Sequence, residues 1–183
     1  MAKERLDLLS SLKQAQVTLL VERKPNKHRV AEVMGKELIP QALASDENVR
    51  TFFNHIDYLK REMGDAFEKM CQPQVVRRSL REVPHPVVFS VLAEELASDN
   101  QEHGDIAANL LEGIFLYPRQ FWGKKQKSRE NLEQAIRVSS ETLYHLAWAA
   151  VLNPNPAVQE RTASLYRRHI LNSPGLNIFE LAG

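Results

Sequence analysis

Three observations predict an all-α fold. Apolar residues recur at steps of three and four along most of the chain, the spacing that places them on one helix face. No segment of any length alternates as a half-buried strand does; Val75-Val76 and Val87-Val88 are β-branched pairs, but each lies in a helical context. Nine prolines and seven glycines fall mainly between the helical segments, where chain breakers belong.

Taken in order, residues 3–22 carry Leu6, Leu9, Leu12, Leu19 and Leu20 and stop before Pro25. Residues 29–43 hold Val30, Val33, Met34, Leu38 and Leu43; Pro40 within them is expected to kink or split the helix. The clearest stripe follows Ser45: Val49, Phe52, Phe53, Ile56, Leu59, Met63, Phe67 and Met70 lie on one face. Ser45 suits the cap, Asp46 and Glu47 suit the positive end of the dipole, and Pro73 bounds the far end. The stripe therefore predicts a single long helix. Residues 74–82 make a short helix before Pro84-His85-Pro86. Residues 86–97 make another, with Pro86 allowed in its first turn. Residues 104–117 come next, bounded by Pro118. Ser128 caps a helix over about 129–152, and Asn155 caps a last one, with Pro156 in its first turn, to about Leu171. The count is seven to nine helices in a single all-helical domain, 1–183.

The size agrees with that reading. The chain has 183 residues, 43% hydrophobic and 26% charged, enough to bury a sizeable core and unlike a disordered composition. A lone cysteine, Cys71, excludes an intrachain disulfide and fits a reducing compartment. The start, MAKERLDLL, lacks the apolar run of a signal peptide, and no stretch approaches the roughly 18 apolar residues of a membrane span. The expected location is the cytoplasm, without membrane contact.

A pattern repeats within the chain. Residues 39–56, 91–114 and 145–170 each have an apolar helix ending in a leucine (Leu43, Leu96, Leu152). Each continues through a short loop of Ser, Asp, Asn or Pro into a helix with small residues such as Ala107, Ala108 and Ala163. That is the signature of helix hairpins, which bury a continuous core when stacked. The segment from Leu152 to Ala163, LNPNPAVQERTA, resembles the turn and second helix of a HEAT repeat. Leu43 to Arg50 is similar, with Pro40 where such repeats often bend their first helix; residues 96–111 match less closely, since Gly104-Asp105-Ile106 replaces the usual valine–arginine pair. The leucines recur more widely than the roughly 40–47 residues of these repeats, a difference that an extra helix per unit or an irregular bundle accommodates. The resemblance implies stacked helix hairpins offering a groove to a partner.

No constellation for chemistry emerges. The six histidines include no pair three or four apart, so no helix presents a histidine pair to a metal. Glu141 and His145 share a helix face but are too few for a site. No nucleophile elbow, EF-hand or di-iron motif occurs, and Gly123-Lys124-Lys125 lacks the rest of a phosphate loop. Cys71 sits at a helix end, where the dipole disfavours a thiolate, and reads as a small buried residue. Trp148 reads as core. Trp122 lies between helices beside a basic run, where either a core anchor or a contact residue fits. No cofactor or metal is expected.

Charge, by contrast, is segregated. The net charge is +1, yet residues 23–29 carry four basic residues and no acid, 77–81 carry three, and 119–129 carry five. Residues 94–112 carry six acids and no Lys or Arg. Three readings follow: pairing within the molecule, contact between proteins, or basic loops gripping phosphates while an aromatic stacks on a base. The candidate contact residues are Lys24, Lys27 and Arg29 in one loop, and Arg119, Phe121, Trp122, Lys124, Lys125, Lys127 and Arg129 in another. The sequence therefore points to a non-enzymatic helical adaptor or regulatory subunit that binds another protein or itself. A nucleic-acid-binding protein is the alternative.

Overall fold

The structure is a computed structural model that describes residues 8–20, 26–82, 84–117 and 156–165. The helix expected over about 129–152, with Trp148 and Leu152, lies outside the described residues, as do residues 118–155 as a whole. The fold is all-α, with nine helices and no strand among the described residues. They are α1 (Leu8–Leu20), α2 (Lys27–Ala42), α3 (Asp46–Asn54), α4 (Ile56–Met63), α5 (Asp65–Met70), α6 (Pro73–Ser79), α7 (Pro86–Leu96), α8 (Gln101–Leu116) and α9 (Pro156–Leu165).

Capping explains where several helices begin. Asn26 Oδ1 accepts from the Arg29 N–H at 2.9 Å, so α2 starts before the expected residue 29. Asn100 Oδ1 accepts from the N–H groups of Glu102 (3.1 Å) and His103 (3.2 Å), so α8 starts at Gln101 rather than residue 104. Ser45 caps α3 as the sequence implies, accepting from the Asn48 N–H at 3.1 Å.

One expectation is narrowed and another corrected. Pro40 does not split α2, which runs through it to Ala42. It sits near the helix end, and its missing N–H leaves the Lys36 carbonyl without its intrahelical donor. The helix end is held from outside: Asn48 Nδ2 donates to the Gln41 carbonyl at 2.8 Å, and Ser11 Oγ donates to Gln41 Oε1 at 2.8 Å. The long helix after Ser45 is three short ones, α3, α4 and α5, broken at His55 and Gly64. At His55 the backbone opens to φ −116°, and Nδ1 turns back to within 2.7 Å of the Thr51 carbonyl. At Gly64 the chain takes φ +54°, ψ −138°, a conformation that costs any residue with a Cβ. The stripe survives both breaks: Val49, Phe52, Phe53, Ile56, Leu59, Met63, Phe67 and Met70 are all buried.

The core is one cluster running from Leu12 on α1 to Tyr117 after α8. Two long helices organise it. α2 packs against α1, α3, α5 and α6, while α8 packs against α6, α7 and α9, and α3 leans on α7. The short α6 thus lies between the two long helices, and each meets it with a glycine. A Cβ on Gly35 of α2 would lie 2.7 Å from Ser79 Oγ, and one on Gly113 of α8 would lie 2.5 Å from both Cβ and Cγ1 of Val76. Omitting those Cβ atoms lets the backbones approach closely. Val76, against Gly113, is fully buried. Tyr117 Oη donates to the Arg81 carbonyl at 2.6 Å, tying the end of α8 to the chain leaving α6.

Candidate functional site

α5 packs on α2 and α8 packs on α6 and α7, which leaves a cleft between α5 and the first half of α8. Its volume is about 550 Å³. One wall is Phe67, Glu68, Cys71 and Gln72; the other is Gln101, Glu102, Asp105, Ile106 and Asn109. The second wall follows the i, i+1, i+4, i+5 pattern of one face of α8, while the first combines Phe67 and Glu68 of α5 with Cys71 and Gln72 in the turn before α6. The buried edges of Phe67, Cys71 and Ile106 form an apolar floor. Three carboxylates and three amides form the rim, and no Lys, Arg or His lines it among the described residues.

The described lining is acidic, and one of its acids is paired. Lys60 Nζ reaches Glu102 Oε1 at 2.6 Å from outside the lining, and that bond holds the ammonium pKa above its ordinary value. Cys71 lies on the floor, and its thiol is pushed up first by burial and then by the charges of Glu102 and Glu68. The thiol is buried and held protonated, and its burial is what the sequence reading of Cys71 anticipates. Among the described residues no group of three His, Cys, Asp or Glu is arranged to hold a metal ion. What the rim offers is hydrogen bonding. Each amide both donates and accepts, and each carboxylate accepts.

The acidic stretch 94–112 is drawn partly into the molecule. Glu94 pairs with Arg50 of α3 at 2.9 Å, Glu102 with Lys60 of α4, and Glu95 with His103 Nδ1 at 2.8 Å. His103 also packs its ring against Phe53, with centroids 5.3 Å apart. Of the basic block 77–81, Arg78 pairs with Glu32 at 3.1 Å, and the buried Arg77 Nε has no hydrogen-bond partner. Pairing within the molecule thus accounts for much of the charge on these two segments.

Of the candidate contact residues, Lys27 and Arg29 are described. Lys27 Nζ donates to Asp65 at the start of α5, which holds the Asp65 carboxyl below its ordinary range. Arg29 lies 3.9 Å from Glu32 one turn on. Lys24, Arg119, Phe121, Trp122, Lys124, Lys125, Lys127 and Arg129 lie outside the described residues. The cleft itself escapes sequence reasoning, because Glu68 and Gln72 stand far along the chain from Glu102 and Asp105. The signal that existed was the acidic run on α8 together with one acid beside the apolar stripe of α5. No protein-family model, no curated protein and no solved structure matches this chain.

Proposed function

We propose that the chain is a non-enzymatic helical adaptor or regulatory subunit that binds another protein. The observation carrying this is the α5–α8 cleft: a concave, polar-rimmed surface with an apolar floor, set on tightly packed helices. A rigid scaffold presenting such a groove binds without first ordering itself, which lowers the cost of association. The scaffold is read here as stacked hairpins of the HEAT kind. In support, α2–α3 and α7–α8 are each joined by a short turn, Leu43 and Leu96 are buried at those turns, and α3 rests on α7. A reducing, cytoplasmic setting suits a free buried cysteine; no helix among the described residues is long and apolar enough to cross a membrane.

The test is affinity capture of the full chain from its native organism. Recovery of a stoichiometric partner is the expected result, and failure to recover any partner or self-association refutes the proposal. The alternative, nucleic-acid binding, rests on the run 119–129 with Phe121 and Trp122 among five basic residues. It predicts retention on DNA or RNA that falls steeply between low and moderate salt and disappears when Lys124, Lys125 and Lys127 are changed to Glu.

A further inference from the structure

α6 is seated on two sides, and the face it leaves outward is basic. Val75 and Ser79 meet Gly35 of α2, while Pro73 and Val76 meet Gly113 of α8. Gln74, Arg77 and Arg78, at i, i+3 and i+4, share the remaining face. Arg81, in the chain leaving α6, and Lys36, one turn beyond Glu32 on α2, extend it, and both are exposed. Glu32 lies within this patch and is shared between Arg78 at 3.1 Å and Arg29 at 3.9 Å. Among the described residues neither Arg77 nor Arg81 has an ionic partner, and Glu82, next to Arg81, forms no pair with it. Arg77 Nε is also shielded from water and makes no hydrogen bond. That N–H is left unsatisfied, a costly state that an acceptor relieves. Because Arg77 is only half-buried, a change of rotamer presents Nε–H and the neighbouring Nη–H outward, and that two-pronged edge matches a carboxylate.

The patch selects its occupant by charge and by size. α6 has seven residues and is about 10 Å long, room for a few carboxylates rather than a run of phosphates, and no aromatic stands on its outward face to stack a base. A second copy of this chain is poorly matched, because its acidic stretch is engaged within its own molecule. Glu94, Glu95 and Glu102 are paired, and Asp105 and Glu112 have interactions of their own. We infer that the outward face of α6 docks an acidic segment of a partner protein, with carboxylates on Arg77 and Arg81 and with Lys36 and Arg78 flanking them. This rests on the protein-binding reading above and adds a second contact surface, apart from the cleft, with the chemistry of its partner. The close seating of α6 between α2 and α8 fixes the backbone that carries the arginines, so docking has little of it left to order.

A labelled nine-residue peptide alternating glutamate and alanine, titrated against the full chain by fluorescence anisotropy, tests it. Binding is expected, weakening as salt screens the charges. The same peptide with every glutamate replaced by glutamine, which keeps the shape and removes the charge, is expected to lose it. Arg77→Gln combined with Arg81→Gln weakens binding by roughly tenfold, the combined effect of two ion pairs. Lys13→Gln combined with Arg61→Gln, exposed cations on α1 and α4, leaves it within about twofold. Should the first double variant fail to fold, Gln74→Glu, at an exposed position on the same face, sets an acid among the arginines and should cause the same loss. Absence of peptide binding, equal binding of the glutamine peptide, or equal loss from the two double variants overturns the inference. A single-stranded oligonucleotide that binds more tightly than the peptide, and is lost in the Arg77 and Arg81 variant, assigns the face to nucleic acid and overturns it. Self-association abolished by that variant assigns the face to a second copy and overturns the partner assignment. A stoichiometric partner captured undiminished by that variant keeps the adaptor reading and overturns this inference alone.

Discussion

Gly113→Ala is the sharpest probe of how the helices are held together. Helix propensity alone predicts that this change, in the last turn of α8, stabilises by at most about 0.8–1.0 kcal/mol. Packing predicts the opposite. The new methyl would sit 2.5 Å from Cβ and Cγ1 of Val76 and 3.0 Å from the Pro73 carbonyl oxygen. A valine Cβ and a backbone carbonyl cannot rotate away, so α6 must shift by several tenths of an ångström, against Gly35 on its other side. Overpacking of this kind costs about 1–3 kcal/mol, and here belongs at the upper end. The net expectation is about 1–2 kcal/mol of destabilisation after the propensity gain. Urea unfolding followed by far-ultraviolet circular dichroism measures it. With a slope of about 1–3 kcal/mol per molar, the midpoint falls by roughly 0.5–1 M. Val76→Ala removes Cγ1 but leaves Cβ in place, so it should cost less in the Gly113→Ala background than alone, and the two effects should not add. Gly35→Ala should be milder, because its nearest obstacle is the Ser79 hydroxyl, at 2.7 Å, which can turn aside. An unchanged or raised midpoint for Gly113→Ala would refute the close approach of α6 and α8.

Three further outcomes are expected. Gly64→Ala meets no atom within 4 Å, so its cost, about 1–3 kcal/mol, comes from φ +54° alone and is read as a lowered unfolding midpoint. Ser45→Ala removes the acceptor for the Asn48 N–H and lowers stability by about 1 kcal/mol in the same assay. Above about pH 8.5 the unfolded chain releases the Cys71 proton while the native thiol, raised by burial, keeps it. The unfolded state then binds fewer protons, so stability falls as pH rises, by up to about 1.4 kcal/mol per pH unit. Tyr117, raised by burial, and Lys60, raised by Glu102, add their own losses as pH passes about 10, so measurements between about pH 8.5 and 9.5 isolate the thiol. Cys71→Ala should flatten that slope, and an equal slope in the variant would refute the assignment.

The stripe after Ser45 shows what a sequence reveals and what it hides. Periodicity identified which residues face the core, because burial selects side chains. It could not reveal the breaks at His55 and Gly64, because each interruption returns the next helix with its apolar face still inward. Helix starts were missed where a cap lay upstream of the first apolar residue, as at Asn26 and Asn100. Pro40 does not split α2, whose last turn is tied to its neighbours by the bonds from Asn48 and Ser11 to Gln41. The acidic run 94–112 was legible as charge, but its partners Arg50 and Lys60 come from other helices. Glu68 joins Asp105 only because α6 brings the end of α5 beside α8.

The division of labour between core and rim makes the cleft testable. Stability resides in the buried cluster and in the seating of α6 against Gly35 and Gly113, where a single methyl matters. Ion pairs on the surface are each worth about 0–1 kcal/mol, so Arg50–Glu94 and Lys60–Glu102 are not what holds the helices together. Neutralising Glu68, an exposed acid, therefore changes the cleft's field while leaving its shape in place. The floor behaves differently: Phe67 and Ile106 belong to the core, so altering them would change binding and folding at once. Charge on the rim is thus the variable that can be moved alone, and binding that ignores it would belong to some other surface of the molecule.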